Sequence, residues 1–290
     1  MRAWLVAARP ATLLAAVAPV LVGSGLAADD GVFRWNAFIT TLAAAVLINI
    51  AANFANDASD AKRGADTESR IGPPRAVATG LLTARQAWMG TAVVLGLATG
   101  LGIYLAWISS WVILAIGAAS ILSLLGYTGG PWPYGYRALG EPFVFVFFGL
   151  VAVVGSRYVH DTTAPLEAWL LAIPMGFLVT AILVANNVRD IESDRSSGKR
   201  TLAVVIGRKA TRGLYVSLIL AAFVLIALFA AIGAVNYGVL VALAALPLAW
   251  SPIRRVSLQV DGPSLIEALK ASARLNAAVG ALLAIGVQIQ

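Results

Sequence analysis

Long apolar stretches alternate with shorter polar segments along the whole chain. A helix needs about 20 mostly apolar residues to cross a bilayer, and nine stretches approach or exceed that length. They are predicted at 11–28, 36–55, 86–105, 109–127, 142–159, 166–186, 213–233, 235–250 and 272–288. Because further spans follow the first, we interpret it as a membrane helix rather than a cleaved signal peptide. The pattern predicts an all-α membrane protein, a bundle of about nine transmembrane helices around a central cavity.

The composition supports this interpretation and excludes several classes of protein. Of the 290 residues, 60% are hydrophobic and 12% are charged, and the mean hydropathy is +0.85. A soluble domain carries roughly a quarter charged residues, so a soluble enzyme and a disordered chain are excluded. The sequence has no cysteine and one histidine, which excludes thiol chemistry, cysteine zinc sites and a histidine-centred triad.

The net charge of +7 is divided unevenly between the two sides of the predicted bundle. If the N-terminus is cytoplasmic, Arg34 and Arg157 are the only two of the 21 Lys and Arg residues that lie outside. The inner segments are 1–10, 56–85, 128–141, 187–212 and 251–274. The positive-inside rule therefore predicts a multi-pass protein of the cell membrane with the N-terminus and long polar loops in the cytoplasm. Topology and an anionic ligand account for the basic excess, so no nucleic-acid partner is expected.

Two clusters of acidic and amide residues end the second and sixth predicted spans. At about 100° per residue, each cluster places one Asn and two Asp on one helix face. They are Asn53, Asp57 and Asp60 in the first and Asn186, Asp190 and Asp194 in the second. The similar spacing predicts an internal repeat of two units, about 36–85 and 166–212, within one integral-membrane domain at 1–290. Four spans separate the clusters, so both emerge on the same side.

The clusters have the composition of a metal-assisted diphosphate site. Carboxylates brought together at membrane helix ends repel one another by about 4 kcal/mol per close pair, so a cation must lie among them. Oxygen ligands without His or Cys favour Mg²⁺, which commonly binds a few carboxylates together with substrate phosphates. Basic residues that follow each cluster are suited to binding phosphate. They are Lys62, Arg63, Arg70, Arg75, Lys199 and Arg200.

With these two clusters, the sequence resembles the UbiA superfamily of intramembrane prenyltransferases, and within it the 1,4-dihydroxy-2-naphthoate polyprenyltransferase branch. The resemblance covers residues 8 to about 212. Its motifs are Ala8-Arg9-Pro10-Ala-Thr12-Leu13, Asn56-Asp57-x-x-Asp60-x-x-x-Gly64-x-Asp66 with Arg70-Ile-Gly-Pro-Pro-Arg75-Ala, Tyr127-Thr128-Gly-Gly-Pro-Trp-Pro133-Tyr134-Gly-Tyr136, and Asn186-Asn187-x-Arg189-Asp190-x-x-x-Asp194-x-x-x-Gly198-Lys199-x-Thr201-Leu202. The N-x-x-x-D-x-x-D spacing of the first cluster departs from the D-x-x-x-D of many members and favours the naphthoate branch.

The resemblance implies roles for further residues within these motifs. Asn56, Asn187 and Arg189 would bind the diphosphate substrate, and Arg9 would lie near the acceptor. Tyr127 and Tyr134 would stabilise an allylic cation through their ring faces, although aromatic residues also form interfacial belts at membrane surfaces. Arg9 or Arg137 would supply a cation for an acceptor carboxylate, although Arg9 could equally be a positive-inside anchor.

Two predictions concern residues outside the motifs. Gly96, Gly100 and Gly102 in the third span are expected to permit close helix packing. His160, on the outer side beside Asp161, is expected to have no part in the chemistry.

The function implied is transfer of a polyprenyl group from polyprenyl diphosphate to 1,4-dihydroxy-2-naphthoate, with loss of CO₂ and diphosphate, to give demethylmenaquinone. The same chemistry on 4-hydroxybenzoate or homogentisate, or with a phytyl donor, remains open. An ion-coupled transporter is the alternative from another class, since intramembrane acids and repeats also mark ion paths. The polar loops 56–85 and 187–212 are predicted to form a cytoplasmic cap over the cavity, because they cannot enter lipid.

Overall fold

The computed structural model describes residues 2–64, 72 and 74–289. Within them, the named elements of secondary structure are all helices, joined by loops. Ten helices follow in chain order. They are α1 (Arg2–Ala8), α2 (Pro10–Asp29), α3 (Trp35–Lys62), α4 (Ala84–Ile108), α5 (Val112–Thr128), α6 (Gly140–Asp161), α7 (Leu166–Ser196), α8 (Leu202–Ala231), α9 (Tyr237–Leu258) and α10 (Gly262–Gly286).

The predicted all-α bundle with about nine spans is confirmed within these residues. Eight helices among α2–α10 are long and apolar enough to cross a membrane. The ninth, α5, has 17 residues and is the shortest of the set. Helix α1 has only 7 residues and lies before the first span, packed against α3.

Helices α3 and α7 extend well beyond the apolar stretches that predict them. The second apolar stretch ends at 55, whereas α3 continues to Lys62. The sixth ends at 186, whereas α7 continues to Ser196. The polar residues that close each stretch therefore form the last turns of a helix, and the common face inferred for each acidic cluster is real. These extensions place the acids on the helix ends that lead into the connecting loops.

Three of the spanning helices contain irregular turns that the sequence does not predict. Phe145–Val151 within α6 form a π-helical segment, and α9 begins as a 3₁₀ helix over Tyr237–Ala245. Helix α8 is broken at Gly207, whose φ of 80° and ψ of 162° are not helical. The predicted seventh span begins only at 213, because the basic residues between Gly207 and that position interrupt the apolar pattern without ending the helix.

Some helices pack closely at glycines, but these are not the glycines that the sequence suggested. A Cβ at Gly149 of α6 would lie 2.4 Å from the Cα of Gly176 in α7, so the two backbones touch. The predicted packing role of Gly96, Gly100 and Gly102 is wrong, since no described atom lies within 4 Å of a Cβ built at any of the three. These glycines face the membrane side or the central cavity, so no neighbouring helix requires the missing side chain.

A central cavity of about 480 Å³ lies between helices α2 to α7, as predicted. Apolar residues of α4, α5 and α6 line most of its length, including Leu105, Ile113 and Val159 at one end. Arg75 and Lys199 lie at the opposite, polar end. Each comes from one of the two loops predicted to cap the cavity, and the cavity is therefore apolar along its length and charged at its mouth.

Candidate active site

The first acidic cluster lies on the last turns of α3, and its two carboxylates are buried. Asp57 and Asp60 are 1% and 2% exposed. Asp57 Oδ2 accepts a hydrogen bond from the backbone N–H of Ala76 at 2.9 Å, so the segment after residue 74 closes over this helix end. Asp57 Oδ1 is buried without a hydrogen-bond partner among the described residues. This oxygen is therefore free to accept a cation or a donor.

Asp60 is surrounded by donors from three different segments. Its Oδ1 accepts a hydrogen bond from Tyr136 Oη at 2.9 Å. Its Oδ2 lies 3.3 Å from Arg75 Nη2 and 3.7 Å from Lys199 Nζ. Asp60 thus connects α3 to the cap segment, to the loop after α5 and to the loop after α7.

The second cluster, on α7, is organised by Arg189. The guanidinium group of Arg189 makes two contacts with Asp190, Nε to Oδ1 at 2.7 Å and Nη2 to Oδ2 at 2.5 Å. Its Nη2 also donates to Asn186 Oδ1 at 2.7 Å. Asp194 Oδ2 accepts from Thr201 Oγ1 at 3.4 Å. Arg189 therefore neutralises Asp190, the Thr201 hydroxyl gives Asp194 a hydrogen bond, and the Arg189 side chain does not line the cavity.

Lys199 joins the two clusters. Its ammonium group lies 3.7 Å from Asp60 Oδ2 and 4.0 Å from Asp194 Oδ1, and 5.1 Å from the centre of the Tyr136 ring. The prediction that both clusters meet on one side of the bundle therefore agrees with this geometry. The side chains of Lys199 and Arg75 therefore place positive charge beside the carboxylates of Asp60 and Asp194.

Nine of the candidate site residues line the cavity. They are Arg9, Asn53, Asn56, Asp60, Arg75, Tyr127, Tyr134, Asn186 and Lys199. Asp57, Asp190 and Asp194 are buried as well but do not line the cavity. Arg70 lies outside the described residues. Acidic, amide and basic side chains from both motifs thus converge at the polar mouth.

Other candidates are turned away from the cavity in the described part of the chain. Asn187 Nδ2 donates to Glu141 Oε1 at 2.9 Å, so the Asn187 side chain contacts α6, and its substrate contact stays a prediction. Arg137 is exposed and stacks on Trp132, with 4.7 Å from its Cζ to the ring centre. Arg63 donates to the backbone carbonyls of Thr128 and Gly130, while Lys62 is exposed.

An aromatic row follows the wall of the cavity from its polar end inward. The rings of Tyr127 and Tyr134 meet edge to face at 5.4 Å, Tyr134 stacks on Phe143 at 3.9 Å, and Phe143 lies 6.2 Å from Phe147. Burial raises the pKa of Tyr134, and its hydrogen bond with Ser123 partly opposes this rise. Tyr134 is therefore a neutral phenol that presents its ring to the cavity.

Sequence reasoning missed two aromatic members of the site, Phe143 and Phe147, and one buried acid outside it, Glu141. Phe143 and Phe147 lie in an apolar span and carry no polar signal, so only the packing of α6 brings them to the cavity. Glu141 is 5% exposed and supports Asn187. A buried acid at the start of a membrane helix was the available signal, because an unpaired carboxylate is costly there.

The charged residues at the other end of the bundle form a separate, self-contained group. Arg157 is 3% exposed and pairs with Asp30 and Asp161 at 2.6 Å each. His160 Nδ1 accepts from the backbone N–H of Arg34 at 3.0 Å. These contacts satisfy buried polar groups where water is scarce, and His160 lies outside the acidic clusters, as expected.

Comparisons with known proteins agree with this geometry. A 1,4-dihydroxy-2-naphthoate octaprenyltransferase of Mycobacterium leprae is 41% identical over 92% of this chain and 90% of its own length. Enzymes of the same name from Escherichia coli and Bacillus subtilis are 37% and 32% identical, over 79% and 97% of this chain and 76% and 90% of their own lengths. In fold, the chain is similar to a UbiA homolog from Archaeoglobus fulgidus, whose structure holds DMAPP and Mg²⁺.

That structural similarity has a TM-score of 0.66 at 16% identity and covers 97% of this chain and 99% of the homolog. It shows the fold alone. The family model described as the UbiA prenyltransferase family matches residues 16–263, which include both acidic clusters, the aromatic row and most of the cavity wall. The chain therefore belongs to the UbiA prenyltransferase family and is a membrane prenyltransferase.

Proposed function

We propose that this prenyltransferase transfers a polyprenyl group from polyprenyl diphosphate to 1,4-dihydroxy-2-naphthoate. The bond from the allylic carbon of the donor to the diphosphate oxygen breaks, and diphosphate leaves. The acceptor ring carbon that carries the carboxylate bonds to the allylic carbon, and the carboxylate leaves as CO₂. The product is demethylmenaquinone in its reduced, quinol form. The observation that carries the proposal is the meeting of two acidic clusters and two basic side chains at the mouth of an apolar cavity. The names of the relatives at 32–42% identity support 1,4-dihydroxy-2-naphthoate as the acceptor.

The acidic clusters supply the ligands for Mg²⁺. Carboxylate and amide oxygens suit this ion, and the buried Asp57 Oδ1 has an open acceptor position among the described residues. No group of three or more acidic or His side chains in the described ranges is close enough to hold a metal alone. An Mg²⁺ ion bound here would therefore take part of its coordination from substrate phosphates. Its ligands would come from Asn53, Asp57, Asp60, Asn186, Asp190 and Asp194. When bound, Mg²⁺ neutralises the diphosphate as it leaves.

Arg75 and Lys199 bind the diphosphate from the cap side. Both are within reach of Asp60, and both line the cavity mouth. A diphosphate with its metal would replace these carboxylate contacts with charge-assisted hydrogen bonds to phosphate oxygens. Positive groups fixed where negative charge develops lower the barrier to departure of the leaving group. Asn56, which is also in the cavity wall, adds a polar contact.

The apolar part of the cavity holds the prenyl chain. Its first carbons would lie against Tyr127 and Tyr134, whose ring faces stabilise the positive charge that forms as diphosphate leaves, by about 0.5–2 kcal/mol each. Phe143 and Phe147 continue the same wall inward. Arg9 lies in the wall near the acidic mouth and supplies the cation for the acceptor carboxylate. Arg137, exposed on Trp132, is less suited to that role.

The site faces the cytoplasm of a cell-membrane protein that forms one domain. This orientation follows from the charge distribution and places the mouth where a water-soluble aromatic acid arrives, while the lipid donor enters from the bilayer. The two acidic clusters derive from a repeated helix-and-loop unit. The transporter alternative is not retained, because the chain belongs to a prenyltransferase family.

The proposal is tested with purified enzyme, labelled polyprenyl diphosphate and a panel of acceptors. We expect 1,4-dihydroxy-2-naphthoate to be prenylated fastest, with CO₂ released in equal amount. Weak turnover of other phenolic acids is compatible with this, because a pocket discriminates by only about 1–3 kcal/mol per missing apolar group. Faster prenylation of 4-hydroxybenzoate or homogentisate would contradict the proposed acceptor but not the proposed diphosphate site. Faster transfer from phytyl diphosphate than from polyprenyl diphosphate would contradict the proposed donor.

A further inference from the structure

Arg9 joins α1 to α2 in a backbone conformation that residues with a side chain rarely adopt. Its φ is 50° and its ψ is 67°, in the left-handed region. Such a conformation persists in a non-glycine residue only when surrounding contacts hold it. Arg9 also lines the cavity, and its positive charge acts on the Asp57 carboxylate. The direction in which this side chain leaves the backbone therefore depends on whatever fixes the joint.

Two asparagines of α3, one helical turn apart, fix it. Asn53 Nδ2 donates to the backbone carbonyl of Ala8 at 2.9 Å and to Thr12 Oγ1 at 3.2 Å. Asn49 Nδ2 donates to the backbone carbonyl of Thr12 at 3.1 Å. The Thr12 hydroxyl in turn donates to the carbonyl of Arg9 at 2.9 Å. The chain on both sides of Arg9 is thus tied to one face of α3.

The contacts of Asn53 also bear on its predicted role as a metal ligand. Its amide nitrogen makes both bonds to the joint, and the side chain is 7% exposed. Asn49, which is 6% exposed, makes a contact of the same kind but lies outside the acidic motif. The two asparagines therefore share a contact with the α1–α2 joint, and because Asn53 makes it through its nitrogen, only Asn53 Oδ1 could serve as a metal ligand.

We propose that Asn49, Asn53 and Thr12 are positioning residues that hold Arg9 for the acceptor carboxylate. The proposal rests on the proposed function, since it takes Arg9 as the group that binds this carboxylate. Because α3 also carries Asp57 and Asp60, one rigid helix sets the separation between the acceptor cation and the diphosphate acids. Holding the joint in advance lowers the entropy that ordering Arg9 would otherwise cost on binding.

The test uses Thr12→Val, which keeps the size of the side chain and removes both hydrogen bonds of its hydroxyl. We expect the KM for 1,4-dihydroxy-2-naphthoate to rise about tenfold, as for the loss of a buried hydrogen-bonded contact, with the KM for polyprenyl diphosphate unchanged. Thr12→Ser keeps the hydroxyl and should restore the wild-type KM. Asn49→Ala should behave like Thr12→Val. A rise in the KM for polyprenyl diphosphate instead of the acceptor, in either variant, would overturn the proposal.

A double-variant cycle separates positioning from direct contact. Arg9→Gln should raise the acceptor KM by at least as much as Thr12→Val, and adding Thr12→Val to Arg9→Gln should raise it little further. If the two effects instead multiply, Thr12 does not act through Arg9, and the positioning proposal is wrong while the proposed function stands. If Arg9→Gln leaves the acceptor KM unchanged, Arg9 does not bind the carboxylate, and both that assignment and the positioning role fall.

Discussion

The Lys199 ammonium group lies 3.7 Å from Asp60 Oδ2, although the two residues belong to different acidic motifs. Asp60 lies on the last turn of α3, and Lys199 follows α7, where it also approaches Asp194 at 4.0 Å. One lysine therefore holds together carboxylates that would otherwise repel each other in a buried site. Under the proposed function, the same charge would bind the diphosphate, and the substrate would replace the contacts that Lys199 makes with the carboxylates.

The carboxylate of Asp57 is expected to be essential for prenyl transfer. Asp57→Asn keeps the shape and removes the charge, so we expect turnover to fall by at least about 10²-fold, as when a group that stabilises transition-state charge is lost. The measurement is product formation at saturating substrates. Asp261→Asn is the matched control, because Asp261 is an exposed N-cap and Asn caps a helix equally well. Equal turnover in the two variants would place the metal elsewhere.

Prenyl transfer is expected to require a hard divalent cation. All the candidate ligands are carboxylate and amide oxygens, which select Mg²⁺ over softer metals. Excess EDTA should abolish turnover of the purified enzyme, and Mg²⁺ in excess over the chelator should restore it. The binding of labelled polyprenyl diphosphate, measured in parallel, should weaken in EDTA as well. Full turnover in the presence of EDTA would contradict the assignment.

Lys199 is expected to contribute to binding of the diphosphate. Lys199→Gln removes a charge at the cavity mouth, and we expect the KM for polyprenyl diphosphate to rise about tenfold, the effect of losing one charge-assisted hydrogen bond. The KM for the acceptor should change much less. Lys209→Gln, at an exposed position on α8, serves as the control and should leave both constants unchanged. A variant that alters only the acceptor constant would reverse the assignment.

Gly149 is expected to be needed for stability rather than chemistry. In Gly149→Ala the new methyl group would lie 2.4 Å from Gly176 Cα, and separating the two backbones should cost about 1–3 kcal/mol. The thermal unfolding midpoint in detergent should fall. Gly100→Ala is the control, since no described atom lies within 4 Å of the added carbon. It should leave the midpoint unchanged or raise it, because alanine favours helix over glycine by about 1 kcal/mol.

Properties that depend on neighbours along the chain could be predicted from the sequence. The nine spans follow from the length of apolar runs, and the common face of Asp57 and Asp60 follows from the helical repeat. The even number of spans between the two clusters brings them to one side. Because acids, amides and basic residues lie within a few positions of one another, a diphosphate site could also be predicted from the sequence, and it stays a prediction.

The tertiary structure decided which partner each side chain meets. Asn186 and Asn187 are adjacent in sequence, yet the first lines the cavity and the second binds Glu141 on α6. Gly149 contacts another helix whereas Gly100 does not, and Phe143 joins the site through the packing of α6. These outcomes depend on how helices far apart in the chain rotate and pack against one another, and no local pattern of residues contains that information.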